Sequence, residues 1–458
     1  MLPHTSVSEE LAAALLSPQL PVAVASTCDR VLMDVCGLCV AARNRDYMLA
    51  ALRATAEPGA CTVIGHAGGF NVATAALCNG TGAHGEDYDD TFEGGPVHAG
   101  AVIVPAMLAT AEQHGMAGGD LTRGIAVGCE IMCRLCLPAP KRVHGAGFHP
   151  TAVFGALGAA AGVASALDLD RAQCVNALGI AGSMASGIIE YLAEGAWTKR
   201  LHPGWAAQAG YRAARLAQAG FTGPRTLFEG NHGFFHAFAN SDDCDFSRML
   251  EGAGEQWLCA DIAFKPYACG TMAHPYIDCA RKLVADGVAP GDVTDIECMT
   301  AEGIVHRLWE PLAAKQNPPN GYAAKFSIPY AIAVAMLRGN AGVVDYEEAV
   351  VHDPEVRALA GKVRYVIDPA NPYPRQFTGH VRVTLKTGEV REASQGHFRG
   401  GREEPMSSAA LESKFIANCA YGGWDASRAH GVLAVLRALP TAACVNLSTL
   451  REETHPLR

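Results

Sequence analysis

From residue 5 to about residue 260, apolar positions recur at helical spacing and are interrupted only by short Gly, Pro or Asp punctuation. Residues 101–114, 151–167 and 206–219 are rich in alanine and other small residues, which let helices approach closely. Period-two alternation is absent, so this stretch is expected to form a helical domain. Ser6 followed by Glu9 has the form of a capping box opening the first helix.

The texture changes after Phe264. Residues 292–300, 363–368 and 380–387 are rich in Val, Ile, Thr and Tyr, and Lys386-Thr387-Gly388-Glu389 has the composition of a hairpin turn leading into 390–394. Helices are expected at 324–337 and 346–350 between these strands, and helical spacing returns at 407–420 and 427–439. The pattern predicts a mainly α protein, with a helical domain formed by both chain ends (1–263 and 403–458) and a smaller α+β domain (264–402) inserted between them.

Composition supports large buried cores: of 458 residues, 49% are hydrophobic and only 18% charged. The formal net charge of −10 argues against a nucleic-acid partner. No apolar run reaches bilayer length, and candidates such as 101–110 are broken by Pro105, so no membrane span is expected. The N-terminus lacks the basic region of a secretory signal, and a cytoplasmic protein with reduced thiols is expected. Among sixteen cysteines, Cys36 with Cys39, and Cys133 with Cys136 beside Cys129, have metal-type spacing. Their apolar, helix-like settings lack the glycine- and charge-rich knuckles that present thiolates, so small buried hydrophobes are the favoured reading.

Against this acidic background Trp197-Thr198-Lys199-Arg200-Leu201-His202-Pro203-Gly204-Trp205 packs three potentially cationic side chains between two aromatics. Such a knot points to an anionic small molecule. Lys199 and Arg200 taken alone would be an ordinary solvated pair, but the flanking Trp197, Leu201 and Trp205 imply a partly buried backbone. His202 is read as structural. Three other segments concentrate ionisable residues. His84 to Thr91 carries four acids within five positions (Glu86, Asp87, Asp89, Asp90) and is followed by His98. It lacks the distal glutamate of a calcium loop and is read as a cleft-edge loop. His149, just ahead of a Gly/Ala-rich helix, stands where a helix N-terminus favours anions, with a capping or core role as the alternative. Lys265, Cys269 and His274 lie where the texture changes, a common setting for ligands, and Cys269 carries no mark of a thiolate. P-loop, GxGxxG, GxSxG and HExxH fingerprints are all missing. Acid–base chemistry by side chains on an anionic substrate is the remaining leading class.

Taken in order, HGEDYDDTFEGGPVHAG (84–100), GFHPTAVFGALGAAAG (147–162), WTKRLHPGWAAQAG (197–210), GFTGPRTLFEG (220–230), FKPYACGTMAHPYID (264–278) and AKFSIPYAIAVAML (324–337) resemble the MmgE/PrpD family over nearly the whole chain. That family includes 2-methylcitrate dehydratase, cis-aconitate decarboxylase and iminodisuccinate epimerase. The resemblance implies an all-helical domain, a smaller α+β lid, a homodimer, a polycarboxylate substrate, and neither metal nor organic cofactor. It carries site roles to Asp87, Thr91, His98, His149, Lys199 and Lys265, and more loosely to Tyr330. Arg200 and His274 join them as expected substrate contacts, although the Arg200 fork has Glu190 and Glu194 as alternative partners. Where the decarboxylases have a catalytic histidine five residues after the junction lysine, this chain has Gly270, and the loop before His98 is one residue longer. The expected chemistry is proton abstraction beside a carboxylate, with Lys199 and Lys265 clamping carboxylates, His149 and His98 moving the proton, Asp87 orienting and Thr91 donating a hydrogen bond. A 2-methylcitrate-dehydratase-like hydro-lyase is the first expectation, an epimerase of an amino- or imino-dicarboxylate the second, a cis-aconitate-type decarboxylase the third. A non-catalytic binding protein is the bland alternative.

Overall fold

The computed structural model describes residues 5–16, 19–241 and 243–453. It is 57% helical and 9% strand, a mainly α protein. Two compact units divide the chain: one comprises Met1–Gly85, Asp89–Ile262 and Ser408–Arg458, the other Glu86–Tyr88 and Ala263–Ser407.

In the first unit the helix Val7–Leu15 opens on the Ser6 capping box, with Glu9 returning its carboxylate to the cap. The helix Pro150–Ala166 is buried along its whole length. Small residues make that possible. A Cβ built on Gly158 would lie 2.8 Å from the Gly128 carbonyl oxygen of the helix Gly118–Arg134. Likewise a Cβ on Gly80, in the helix Val72–His84, would lie 2.5 Å from the Gly204 Cα of the helix Thr198–Gln218. The helix Ser408–Tyr421 packs on Val22–Ala42, where Phe415 fills the space beside Gly37 and Lys414 Nζ meets Asp34 Oδ1 at 2.8 Å.

Pro105 does not break its segment: Ala99–His114 is one continuous helix. The proline removes one hydrogen-bond donor, but the helix is enclosed by apolar neighbours on nearly every face and burial outweighs the lost bond. Among the described residues no helix is long and apolar enough to cross a membrane. Of the metal-spaced cysteines, Cys36 and Cys39 lie inside the helix Val22–Ala42, Cys129 and Cys133 inside Gly118–Arg134 and Cys136 just beyond its end; all are buried, with burial pushing each thiol up.

The second unit carries a four-stranded sheet in the order Val363–Ile367, Val293–Thr300, Gly379–Leu385, Val390–Gln395. The first pair is parallel (Ile296 opposite Val363), the others antiparallel (Cys298 opposite Val381, Val381 opposite Ala393). Gly388 closes the hairpin at φ 83°, a left-handed conformation that glycine adopts without cost. The helix His274–Ala285 packs on the last two strands. The expected helix over 324–337 is two pieces, Gly321–Ala324 and Ile328–Arg338. Pro329 cannot supply a backbone donor across the join, and Ser327 restarts the helix by accepting the Tyr330 amide at 3.1 Å.

Candidate active site

Four helix ends in the first unit bring four imidazoles together. His84 is the last residue of Val72–His84; His98 and His149 are the N-cap residues of Ala99–His114 and Pro150–Ala166; His202 lies near the start of Thr198–Gln218. Ring centroids are 5.0 Å apart for His84 and His98, 5.6 Å for His84 and His149, and 5.3 Å for His149 and His202. Three of these are N-terminal ends, where backbone amides and the helix dipole favour negative charge. None of the three helix caps, His98, His149 and Trp197, returns its own side chain to the first turn.

Each ring is fixed by named contacts. His84 Nδ1 and Asp89 Oδ2 are 2.6 Å apart, both fully buried. His98 Nδ1 donates to the Asp90 carbonyl oxygen at 2.6 Å, and its backbone amide to Thr151 Oγ1 at 3.2 Å. His149 Nδ1 faces His202 Nδ1 at 3.1 Å, so one of the two rings donates and the other accepts. Tyr191 closes this pair edge-on. Asp90 Oδ2 accepts the Gly100 amide at 3.1 Å, and any Cβ on Gly100 would collide with that carboxylate.

Electrostatics follow from this crowding. Burial, then the neighbouring His84, His202, Lys199 and His98, holds His149 well below the usual imidazole range. Burial, His84 and Lys199 lower His202 to about 4. Burial and the charge of Asp89 raise the Asp90 carboxyl to about 7. These shifts predict a pH effect. His202 titrates near 6.5 when unfolded and about 4 when folded, so within that window the unfolded chain binds more protons and stability contributed by neutral His202 is lost as pH falls. Asp90 acts in the opposite sense, so the comparison is best made with a variant. His202→Asn is expected to melt progressively closer to, or above, wild type as pH drops from 7 to 4.5; a constant offset in Tm would sink the assignment.

The second unit holds its own polar cluster. Asp87 adopts φ 54°, a left-handed conformation that is strained for a non-glycine residue. Lys265 Nζ secures it through the Asp87 carbonyl oxygen at 2.9 Å and Oδ1 at 3.2 Å, both side chains buried. Lys325 does the same for Glu86, at 3.0 Å from Oε2 with a further contact to its carbonyl oxygen. Tyr88 donates to the Pro266 carbonyl oxygen at 3.0 Å. His274 is buried, 3.2 Å from the Cys269 carbonyl oxygen through Nε2, and burial together with Lys265 lowers it to about 3. Burial raises the Cys269 thiol to about 12, against a nucleophilic role.

Among the described residues His84, Asp89 and His98 bring potential metal-ligand atoms within 4.8 Å of one another. The nearest nitrogens, however, are engaged: His84 Nδ1 with Asp89, and His98 Nδ1 with the Asp90 carbonyl. A cation held through those two nitrogens would have to displace both hydrogen bonds.

Comparison with known proteins matches residues 10–247 to the MmgE/PrpD N-terminal domain and 267–436 to the MmgE/PrpD C-terminal domain. The chain belongs to the MmgE/PrpD family. It is 31% identical to human cis-aconitate decarboxylase over 371 residues, covering 77% of this chain and 73% of that protein. The mouse cis-aconitate decarboxylase is also 31% identical, over 75% of this chain and 71% of its own. The 2-methylcitrate dehydratase of Cupriavidus necator is 26% identical over 56% of this chain and 55% of its own. Both named activities are lyase reactions.

Of the residues singled out in this MmgE/PrpD chain, His98, His149 and Lys199 gather in the first unit, while Asp87, Lys265 and His274 gather in the second. Thr91 is half-buried on the short strand Thr91–Phe92. The Arg200 guanidinium stacks 4.4 Å over the Tyr47 ring. Tyr330 is fully buried, its hydroxyl given to the Asp345 carbonyl oxygen. The segment was expected to have a partly buried backbone: Lys199, Arg200 and His202 are half-buried and Pro203 and Gly204 buried, while Trp197, Leu201 and Trp205 are 49%, 37% and 47% exposed. They lie four residues apart along one face of the helix, turned away from the imidazoles that its first turns approach. His202, read as structural, contacts His149 directly. His84 and Asp89 were noted only as members of the ionisable run 84–91 and Lys325 only within the segment 324–337, none with a role; no periodicity marks them.

Proposed function

We propose that this MmgE/PrpD protein is a cofactor-independent lyase acting on a di- or tricarboxylate, as a hydro-lyase of a 2-methylcitrate-like hydroxy acid. The convergence of three helix N-termini and Lys199 on one imidazole cluster carries the reading. Such a site suits a polyanion, and the imidazoles suit the one base and one acid that water elimination needs. Burial, reinforced by the Lys199 ammonium, holds His149 neutral; substrate carboxylates reverse that field and make it a better base. Lys199 would clamp a carboxylate and stabilise the aci-carboxylate formed when the adjacent carbon loses its proton. His98 is the second proton carrier and Thr91 a carboxylate donor. Lys265, engaged with Asp87, contributes by holding the strained Glu86–Tyr88 loop. Arg200, His274 and Tyr330 contribute as supports rather than as direct carboxylate ligands.

Decarboxylation is the second reading, favoured by the 31% identity to cis-aconitate decarboxylases. Gly270 weighs against it, because it leaves no side chain where the decarboxylases are expected to hold a proton-donating histidine. Incubation in D₂O with a panel of di- and tricarboxylates, followed by proton NMR, separates the readings. A new vinylic signal is expected from a hydroxy acid. Carboxylate loss would replace this reading by decarboxylation, deuterium entry into retained substrate by epimerisation, and ligand-induced stabilisation without any exchange by a binding protein.

The exposed Trp197, Leu201 and Trp205 face supports a homodimer, since apolar stripes of this size are usually covered. Light scattering that gives the mass of one chain would exclude it. Sixteen cysteines outside any disulfide fit a reducing compartment such as the cytoplasm; quantitative disulfide formation in protein isolated from its native compartment would refute that placement.

A further inference from the structure

The geometry points to His84, held by Asp89, as a proton relay: its Nε2 receives the proton that His149 or His98 takes from substrate, and gives it back for the leaving oxygen. This inference rests on the lyase reading above. Neither the His84–Asp89 dyad nor its relay role follows from the clamp-and-base arrangement alone.

Three observations carry it. First, the dyad is directional. Asp89 Oδ2 lies 2.6 Å from His84 Nδ1, both side chains are fully buried, and an ionised carboxylate only accepts; Nδ1 therefore carries the hydrogen, which in the neutral ring leaves the lone pair on Nε2. Second, His84 Nε2 is buried without a hydrogen-bond partner among the described residues. An unmatched buried acceptor costs free energy unless something occupies it in another state of the site. Third, the reach is right. His149 and His202, with centroids 5.3 Å apart, have nitrogens at 3.1 Å; His84 stands 5.0 Å from His98 and 5.6 Å from His149, separations at which a ring turn brings nitrogens into hydrogen-bond range.

The charge arrangement gives the transfer its direction. Titratable groups around His84 are Asp89, His98, His149 and His202. A proton on His149 is opposed by burial and by the Lys199 ammonium. Moved to His84 Nε2, it forms an imidazolium balanced by the Asp89 carboxylate. Asp90 favours this division, since burial and Asp89 raise its carboxyl to about 7, leaving Asp89 as the charged member of the pair. The balance closes. The C–H electron pair stays on the substrate as the aci-carboxylate, and the proton passes to His149 or His98 and then to His84. It returns along the same rings to the oxygen whose C–O bond breaks with its electron pair, releasing water and the alkene.

His84→Asn tests the relay, because an asparagine amide reproduces the Nδ1–H donor to Asp89 while removing Nε2. Turnover number should fall about 10²-fold or more with KM within about threefold. A kcat within about threefold of wild type would overturn the relay and leave His84 a structural partner of Asp89. Long-range ¹H–¹⁵N correlation on ¹⁵N-histidine protein supplies a readout independent of substrate: the signal lost in His84→Asn should be a neutral Nδ1–H ring. A neutral Nε2–H ring or a standing imidazolium at pH 7 overturns the assignment even if wild type turns over no polycarboxylate, the outcome that sinks the lyase reading instead. If His84→Asn does not fold, Asp89→Asn serves: the His84 tautomer should switch and kcat fall, and an unchanged tautomer with unchanged kcat counts against the relay.

Discussion

Lys199→Met is expected to lower kcat/KM by about 10²–10³-fold, measured on whichever polycarboxylate the wild-type protein consumes, with little change in Tm. Methionine keeps the length and apolar stem of lysine, so packing is largely conserved and the charge is what is lost. Lys199 is the second residue of the helix Thr198–Gln218, where its ammonium adds to the positive end of the helix dipole. It also depresses both His149 and His202. Losing it should therefore weaken ground-state binding, raising KM, and remove stabilisation of the aci-carboxylate, lowering kcat. Both imidazole pKa values should move upward, shifting the acidic limb of the pH–rate profile to higher pH. Arginine at this position should restore only part of the activity, since its broad fork does not replace a compact ammonium. A Lys199→Met protein within about threefold of wild-type kcat/KM would remove Lys199 from the substrate site.

What the sequence disclosed depends on how local the cause was. Strand positions were legible because alternating Val, Ile and Thr report a half-buried face, as at Val293, Ile296, Cys298 and Thr300, all buried along one strand. The break before Ile328 was missed because apolar periodicity continues through Ser327 and Pro329; the cap chemistry there decides the boundary. Pro105 misled in the opposite direction, its lost donor being outweighed by burial. At the site, His149 was legible from its place ahead of a helix N-terminus. His202 was not, because its significance depends on the Thr198–Gln218 helix starting at Thr198 and delivering it to His149. The run His84 to Asp90 is harder still. Glu86–Tyr88 belongs to one compact unit and Asp89 to the other, so adjacent acids have different partners: Lys325 and Lys265 for Glu86 and Asp87, His84 for Asp89. Linear spacing does not encode that division. The basic knot divides its side chains, with Lys199 acting on the imidazoles, Arg200 over the Tyr47 ring and the indoles left on the surface.

The largest loss of stability is expected from Arg134→Met, about 3–5 kcal/mol. Arg134 is 1% exposed and ends the helix Gly118–Arg134, with Nε 2.6 Å from Glu130 Oε1 one turn earlier. Its remaining nitrogens reach three carbonyl oxygens of an irregular segment: Met249 and Glu251, both at 2.9 Å, and Gln256 at 2.7 Å. Glu130 completes the arrangement by accepting the Cys259 amide through Oε2 at 2.9 Å. One buried ion pair thus ties together the carbonyls of successive turns between 249 and 256 and the amide of Cys259. Methionine fills much of the volume but leaves a buried carboxylate uncompensated and three carbonyls without this donor. Because an unpaired charge is the main cost, Glu130→Gln should recover part of the loss: it removes the charge while its side-chain oxygen still accepts the Cys259 amide. The double variant Glu130→Gln/Arg134→Met is therefore expected to be more stable than Arg134→Met alone, by about 1–2 kcal/mol in chemical denaturation. Additive losses, with the double variant the least stable of the set, would show that the orphaned carbonyls rather than the isolated carboxylate dominate, and that the guanidinium acts here chiefly as a backbone clamp.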